Sequence, residues 1–165
     1  MTRKFVFIAL LAVVLAVPSL AIAQAPNFSG KWIQDMEKSD PPPQGMGGGG
    51  GRGPAGPQNL TITQTATEFT IERETPNGVT KTVYKLDGSE SVNAGQRGGE
   101  VKSKSAWDGA KLVTKASQTM NMQGTETTIE STETRSIEAD GTMTVVTVRK
   151  APNGETTRKV VFKKG

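Results

Sequence analysis

Apolar and polar residues alternate along most of the chain from Asn59 onward. Leu60 and Ile62 alternate with threonines, and Phe69 and Ile71 alternate with glutamates and a threonine. A period of two places every second side chain on the same face of a strand, and β-branched residues favour such half-buried surfaces. The pattern therefore predicts β-strands with one buried face.

Turn signals separate these alternating segments. In each signal a glycine follows Asn or Asp, and Asn-Gly and Asp-Gly tolerate the positive φ that tight hairpins demand. The turn glycines are Gly78, Gly88, Gly109, Gly141 and Gly154. The predicted strands are residues 28–36, 59–65, 67–74, 79–86, 89–94, 99–107, 110–118, 125–137, 142–150 and 155–163. Their spacing leaves little room for helices and predicts an all-β fold, an antiparallel up-and-down β-barrel of eight to ten strands.

One face of the strands lines the barrel interior in this prediction. Eight strands already enclose a space wide enough for one small ligand. The aromatic content is only 5% of the chain, so a filled, dry core is equally compatible with the pattern. The residues predicted to face inward are Leu60, Ile62, Phe69, Ile71, Leu112, Ile129, Met143 and Val145.

The beginning of the chain has the pattern of an export signal. Arg3 and Lys4 precede an apolar run over residues 5–17, Pro18 ends the run, and Ala21-Ile22-Ala23 matches a cleavage site. The apolar run is shorter than the roughly 20 residues that span a bilayer. We therefore expect a signal peptide at 1–23, a single barrel domain at 24–165, and an exported protein, periplasmic or secreted, with no integral membrane segment after signal removal.

A Pro- and Gly-rich segment interrupts the strand pattern at about residues 40–58. It cannot bury enough apolar area to offset the entropy of ordering it, which predicts a disordered loop. A phosphate-binding loop would end in Gly-Lys-Ser/Thr between a strand and a helix, and this segment does not. Its single Arg52-Gly53 pair supplies little of the charge that nucleic-acid binding requires, so we expect no nucleic-acid partner.

The composition removes most catalytic chemistry. The chain contains no His and no Cys, which excludes the commonest general base and metal ligand and any disulfide. A Ser–Lys pair could come from Ser103-Lys104-Ser105, but in a strand Lys104 points away from both serines. The carboxylates show no Asp-x-Asp spacing of the kind that Ca²⁺ loops use. We therefore expect no enzyme activity, no catalytic residues, no cofactor and no metal site.

The segment Phe-Ser-Gly-Lys-Trp at residues 28–32 resembles the Gly-x-Trp opening of lipocalins and of the related fatty-acid-binding-protein barrels. The resemblance implies that Trp32 closes one end of the barrel and that a basic residue from the last strand packs across its ring. Arg158 is the matching residue, since it alternates in phase with Val160 and Phe162. The chain is also similar to exported bacterial proteins that open with Phe-Ser-Gly-x-Trp and contain Leu-Asp-Gly and Trp-Asp-Gly turns, as at residues 86–88 and 107–109.

The predicted strand at 125–137 brings charged residues into phase with apolar ones. Ile129 and Ile137 share a face with Glu133 and Arg135. Charges in an apolar interior are costly unless they pair or bind something. Two interpretations stay open, a polar hook in a ligand pocket, or a bulge or barrel rim that returns both side chains to water. Trp107 is similarly either the lid of a pocket or a rim aromatic that closes the core.

The function that these patterns favour is the binding of a small apolar or amphipathic ligand by a monomeric barrel. The alternative is a structural or stress-related envelope protein with a filled barrel and no ligand. A ligand that co-purifies with the protein would distinguish the two. The candidate ligand-binding residues are Phe69, Ile71, Trp107, Ile129, Glu133 and Arg135.

Overall fold

The computed structural model describes residues 25–41, 57–75, 78–95, 99–122 and 125–165. Within them the chain forms ten β-strands and no helix. The strands are β1 Gly30–Asp35, β2 Asn59–Gln64, β3 Glu68–Thr75, β4 Gly78–Lys85, β5 Glu90–Ala94, β6 Glu100–Asp108, β7 Lys111–Met122, β8 Thr125–Ile137, β9 Met143–Ala151 and β10 Gly154–Lys164.

All ten strands belong to one antiparallel sheet in the order β4-β3-β2-β1-β10-β9-β8-β7-β6-β5. Strands that are neighbours in sequence pair with each other, except β4 and β5, which form the two edges of the sheet. In addition β1 pairs with β10, which joins the first and last strands in the middle of the sheet. The sheet curls into a nearly closed barrel, because β4 and β5 at its two edges also approach each other. The predicted all-β, up-and-down barrel is therefore confirmed.

The predicted turns account for this topology. The five turn glycines all have positive φ, between +58° at Gly109 and +128° at Gly154. At two turns the preceding Asp also receives a backbone hydrogen bond, with Ser89 N–H donating to Asp87 over 2.9 Å and Thr142 N–H donating to Asp140 over 3.0 Å. The local sequence of each turn thus determines where the chain reverses direction, and consecutive strands therefore pair antiparallel.

The barrel interior has the composition that the alternation predicted. All eight residues expected to face inward are buried, and Phe28, Trp32 and Phe162 join them. Phe28 packs edge-on against Phe69, with ring centroids 5.7 Å apart, and stacks on Trp107 at 6.1 Å. These five aromatic residues define what we call the closed end of the barrel.

Side chains of β5 bridge the gap between β5 and β4. Val83 N–H donates to Asn93 Oδ1 over 2.8 Å, and Asn93 Nδ2 donates back to Val83 O over 2.9 Å. Lys85 N–H donates to Ser91 Oγ over 2.8 Å. The Asn93 carboxamide therefore takes the place of a peptide group from a neighbouring strand and satisfies both polar groups of Val83.

Asn93→Ala should lower the free energy of unfolding by about 2 kcal/mol, because two hydrogen bonds of about 1 kcal/mol each are lost and Val83 is left unpaired. Hydrogen exchange at the Val83 amide should accelerate in parallel. Glu90→Ala, on the exposed side of the same strand, is the matched control and should change stability by less than about 0.5 kcal/mol. Equal effects of the two substitutions in urea denaturation would show that the bridge does not hold β4 to β5.

The predicted signal peptide at 1–23 and most of the Pro- and Gly-rich segment lie outside the described residues. The two ends of that segment are described and are hydrogen bonded. Asp40 N–H donates to Lys159 O over 2.9 Å, and Gln58 N–H donates to Gln34 Oε1 over 3.2 Å. Nowhere in the described part of the chain is there a helix long and apolar enough to cross a membrane.

Candidate ligand-binding site

Trp32 is held in place at the closed end from three sides. The residue is only 1% exposed, and its indole N–H donates to Phe28 O over 2.8 Å. Phe28 N–H in turn donates to Gln64 Oε1 over 2.9 Å, which fixes the segment before β1 against β2. Register places Trp32 opposite Leu60 on one side and Lys164 on the other.

The cation over the Trp32 ring is Lys164, and not Arg158 as the resemblance implied. Lys164 Nζ lies 4.5 Å from the ring centroid and donates to Ser29 O over 2.8 Å. Arg158 faces the interior in the same phase of β10, but it pairs in register with Thr147 of β9. It therefore belongs to a different level of the barrel.

Register divides the interior-facing side chains of β6 to β10 into successive rows across the sheet. From the closed end, the first of three rows carries one charge among apolar side chains, and the next two are largely polar. The first row contains Trp107, Leu112, Arg135, Val145 and Val160. The second contains Ser105, Thr114, Glu133, Thr147 and Arg158. The third contains Ser103, Ala116, Ser131, Arg149 and Thr156.

The interior thus changes from aromatic to polar along the barrel axis. Ser105 and Thr114 are both buried and their hydroxyls are 2.8 Å apart, so they satisfy each other. Interior positions filled with threonine, serine and arginine do not match a purely apolar ligand.

Glu133 and Arg135 both face the interior and form an ion pair. Arg135 is 4% exposed, whereas the Glu133 side chain is 27% exposed. The Arg135 guanidinium also lies over two aromatic rings, 5.4 Å from the centroid of Phe69 and 5.7 Å from that of Tyr84. The register of β8 runs through both residues without a bulge, so the two side chains face the barrel interior as an ion pair.

Burial raises the pKa of Tyr84 above its usual value of 10.0, and the positive charge of Arg135 opposes this shift in part. Tyr84 therefore stays neutral across the physiological range. It presents a hydroxyl beside the Arg135 guanidinium.

Tyr84 is the single tyrosine of the chain, so absorbance at 295 nm reports its titration alone. We expect a midpoint above pH 10 in the folded protein and a return toward 10 after denaturation in urea. Because the native state keeps the proton longer than the unfolded state, stability should fall as the pH rises above about 10. A midpoint at or below 10 in the folded protein would contradict the burial of Tyr84.

Several buried polar atoms of the interior have no hydrogen-bond partner among the described residues. They are Arg73 Nε, Arg135 Nη1, Arg158 Nε, Ser103 Oγ and the acceptor Glu133 Oε1, which lies in the ion pair with Arg135. Buried donors without partners are rare and each costs about 1–3 kcal/mol. Three guanidinium groups on three different strands therefore carry interior donor atoms that no described residue satisfies.

The structure brings together some of the predicted ligand-binding residues and separates others. Phe69, Glu133 and Arg135 meet directly, and Trp107 lies in the same row as Arg135. Ile71 is two residues from Phe69 on β3. Ile129 lies on β8 two residues from Ser131 of the third row, on the side away from the closed end.

Sequence analysis missed Arg73 and Arg149, which also face the interior. Arg73 follows Phe69 and Ile71 in phase along β3, and Arg149 follows Met143 and Val145 in phase along β9. Both residues share the parity of the apolar interior residues, but each lies near the end of its strand. We refer to Arg73, Arg135, Arg149 and Arg158 as the interior arginines.

No family model matches the chain, and no curated protein matches it in sequence. Solved structures do match in fold. Zebrafish ileal bile acid-binding protein in complex with cholic acid is 17% identical, with a TM-score of 0.57 over 84% of this chain and 98% of that one. A mutant of the fluorescent protein UnaG is 22% identical, with a TM-score of 0.55 over 84% and 96%. The fatty acid transporter REP1-NXSQ is 14% identical, with a TM-score of 0.52 over 83% and 95%.

These likenesses define the class of fold. The chain has the nearly closed, ten-stranded antiparallel barrel of the fatty-acid-binding proteins, as the opening segment at residues 28–32 implied. The similar structures are ligand-binding and transport proteins. Identities below 25% extend this likeness to the fold alone.

Proposed function

We propose that the protein binds one small amphipathic anion inside the barrel, with the apolar tail toward the closed end and the anionic head among the interior arginines. The observation that carries this proposal is the set of buried guanidinium donors of Arg73, Arg135 and Arg158 that have no partner in the described chain. A buried polar group without a partner destabilises the empty protein, and an anion that reaches it removes that penalty.

The order of side chains along the barrel supports the orientation of the ligand. Phe69 and Ile71 are 0% and 4% exposed and belong to the apolar packing near the closed end. Arg135 lies over Phe69, so the change from apolar to cationic surroundings occurs within one residue layer. A carboxylate or similar head placed there would receive charge-assisted hydrogen bonds, which are the strongest that side chains donate.

Titration with decanoate and with the uncharged decanol tests the proposal, with emission of Trp32 and Trp107 as the signal. We expect saturable one-to-one binding of decanoate and at least tenfold weaker binding of decanol, because only the carboxylate compensates the guanidinium groups. Arg158→Gln should weaken decanoate binding, whereas Lys163→Gln, on the exposed face of the same strand, should not. Binding of neither compound would refute the proposed function.

A filled barrel that serves as an envelope scaffold is the second candidate, and two observations favour it. Side chains pack the closed end to exposures of 0–4%, as for Phe28, Trp32, Phe69 and Phe162. Among the described residues, two cavities of about 460 and 310 Å³ also open on the outer face of the sheet, beside Asp140 and beside Lys102, and not into the interior. Native mass spectrometry of protein purified from its host discriminates the two, since a scaffold would carry no co-purifying small molecule.

Export is part of the proposal and rests on the sequence at residues 1–23. We propose cleavage after Ala23, a periplasmic or secreted mature protein that begins at Gln24, and a monomeric state. N-terminal mass analysis of the protein from cell fractions tests the first two points. Retention of Met1 in a cytoplasmic fraction would contradict them. Sedimentation of the mature protein tests the third.

A further inference from the structure

We infer that the anionic head group is a doubly charged phosphate monoester rather than a carboxylate, so that the ligand is an alkyl phosphate-type amphiphile. This inference rests on the proposed function and specifies the chemistry of the same site. It follows from the number and placement of the donors that the interior leaves without partners.

The unpartnered donors come from separate strands. Arg73 Nε belongs to β3, Arg135 Nη1 to β8 and Arg158 Nε to β10, and the hydroxyl of Ser103 on β6 is also buried without a partner. A carboxylate presents two oxygens in one plane, whereas a phosphate monoester presents three terminal oxygens in a tetrahedral arrangement. Donors that approach from several walls of a barrel match the tetrahedral group better than the planar one.

The interior charge leads to the same choice. Arg73, Arg135 and Arg158 face the interior of the described strands above the closed end, and Glu133 is the carboxylate that accompanies them. Glu133 pairs with Arg135. A carboxylate ligand would contribute one negative charge, whereas a phosphate monoester contributes about two near pH 7. A phosphate head group therefore compensates more of the positive charge of the interior guanidinium groups than a carboxylate does.

The titratable groups that face this site determine how ligand affinity depends on pH. Apart from the arginines, which stay charged, they are Glu133 on β8 and the neutral Tyr84 on β4. The chain has no His. The second ionisation of a phosphate monoester has a pKa of about 6, so the ligand itself is the group that changes charge between pH 5.5 and 7.5.

Parallel titrations with decyl phosphate and decanoate test the inference on the full-length mature protein. At pH 7.5 decyl phosphate should bind at least about tenfold more tightly than decanoate. Its affinity should increase several-fold from pH 5.5 to 7.5 as the second proton leaves, whereas the affinity for decanoate, already ionised, should stay nearly constant.

Two substitutions add a readout that depends on the donors. Arg73→Gln and Arg158→Gln should each weaken decyl phosphate about tenfold and weaken decanoate less, because each removes one donor from a head group with three acceptor oxygens. Circular dichroism and urea denaturation confirm that both variants are folded. Lys159→Gln, on the exposed face of β10, is the control and should leave both affinities unchanged.

The possible results separate this inference from the proposed function. Equal affinity for the two amphiphiles, or tighter binding of decanoate, overturns the phosphate assignment and leaves anion binding in place. A pH-independent affinity for decyl phosphate overturns it as well. Failure of both amphiphiles to bind refutes the proposed function and the inference together.

Discussion

Trp32→Ala should lower the free energy of unfolding by about 3–5 kcal/mol, one of the largest effects expected from a single substitution in this chain. The side chain is 1% exposed and its indole N–H is bonded to Phe28 O, so truncation creates a cavity and leaves that carbonyl without its donor. Since a domain of this size has only about 5–15 kcal/mol of stability, the variant should denature at much lower urea concentration.

Lys164 should be coupled to Trp32 in a double-mutant cycle. Lys164→Ala removes a cation 4.5 Å from the ring centroid and a hydrogen bond to Ser29 O. The cation–π part of the loss should be about 0.5–1 kcal/mol, because Lys164 is exposed. In a Trp32→Ala background this part of the effect should disappear, since the ring is no longer there.

Arg158→Ala provides the matched comparison on the same strand. It should add to Trp32→Ala without coupling, because Arg158 pairs with Thr147 and not with the closed end. Denaturation of the three single and two double variants measures both couplings. Coupling of Trp32 to Arg158, with none to Lys164, would show that the closure of the barrel differs from the one described here.

The error over Arg158 illustrates what alternation can and cannot predict. Parity correctly placed Arg158, Val160 and Phe162 on one face of β10, the face that also carries Lys164. It carries no information on which of them lies opposite Trp32, because that depends on the register of β1 against β10. Arg158 is six residues before Lys164, which is about 20 Å along a strand. Register between the first and last strands is set by contacts far apart in sequence.

The strands and turns were predictable because their signals are local. Each Asn-Gly or Asp-Gly reversal sits between two alternating segments, and the glycines of these turns have positive φ as expected. The bridge between β4 and β5 was not predictable. Asn93 and Ser91 read as ordinary strand residues until the curvature of the sheet brings them against Val83 and Lys85.

The polar character of the site could be predicted only in part. The parity of β8 identified Glu133 and Arg135, because two isoleucines on the same strand marked its inner face. Arg73 and Arg149 obey the same parity, but each lies near the end of a strand, where rim and interior cannot be told apart by sequence. Only the burial of the Arg73 Nε atom in the folded barrel assigns it to the interior.

Glu133→Gln should have the second large effect, a loss of about 3 kcal/mol in the ligand-free protein. Removing one partner of a buried ion pair costs about 3–5 kcal/mol, and the lower end applies because the Glu133 side chain is 27% exposed. Arg135, at 4% exposure, would then keep its charge in the interior without a counterion.

Two further variants isolate the cause of that loss. Glu130→Gln, on the exposed face of β8 opposite Lys150, removes a surface carboxylate and should cost no more than about 1 kcal/mol. The double variant Glu133→Leu with Arg135→Met removes both charges and should be more stable than Glu133→Gln, because apolar replacement of a buried pair is often neutral. Urea denaturation measures all three. If Glu133→Gln is as mild as Glu130→Gln, Arg135 does not depend on Glu133 for its charge compensation.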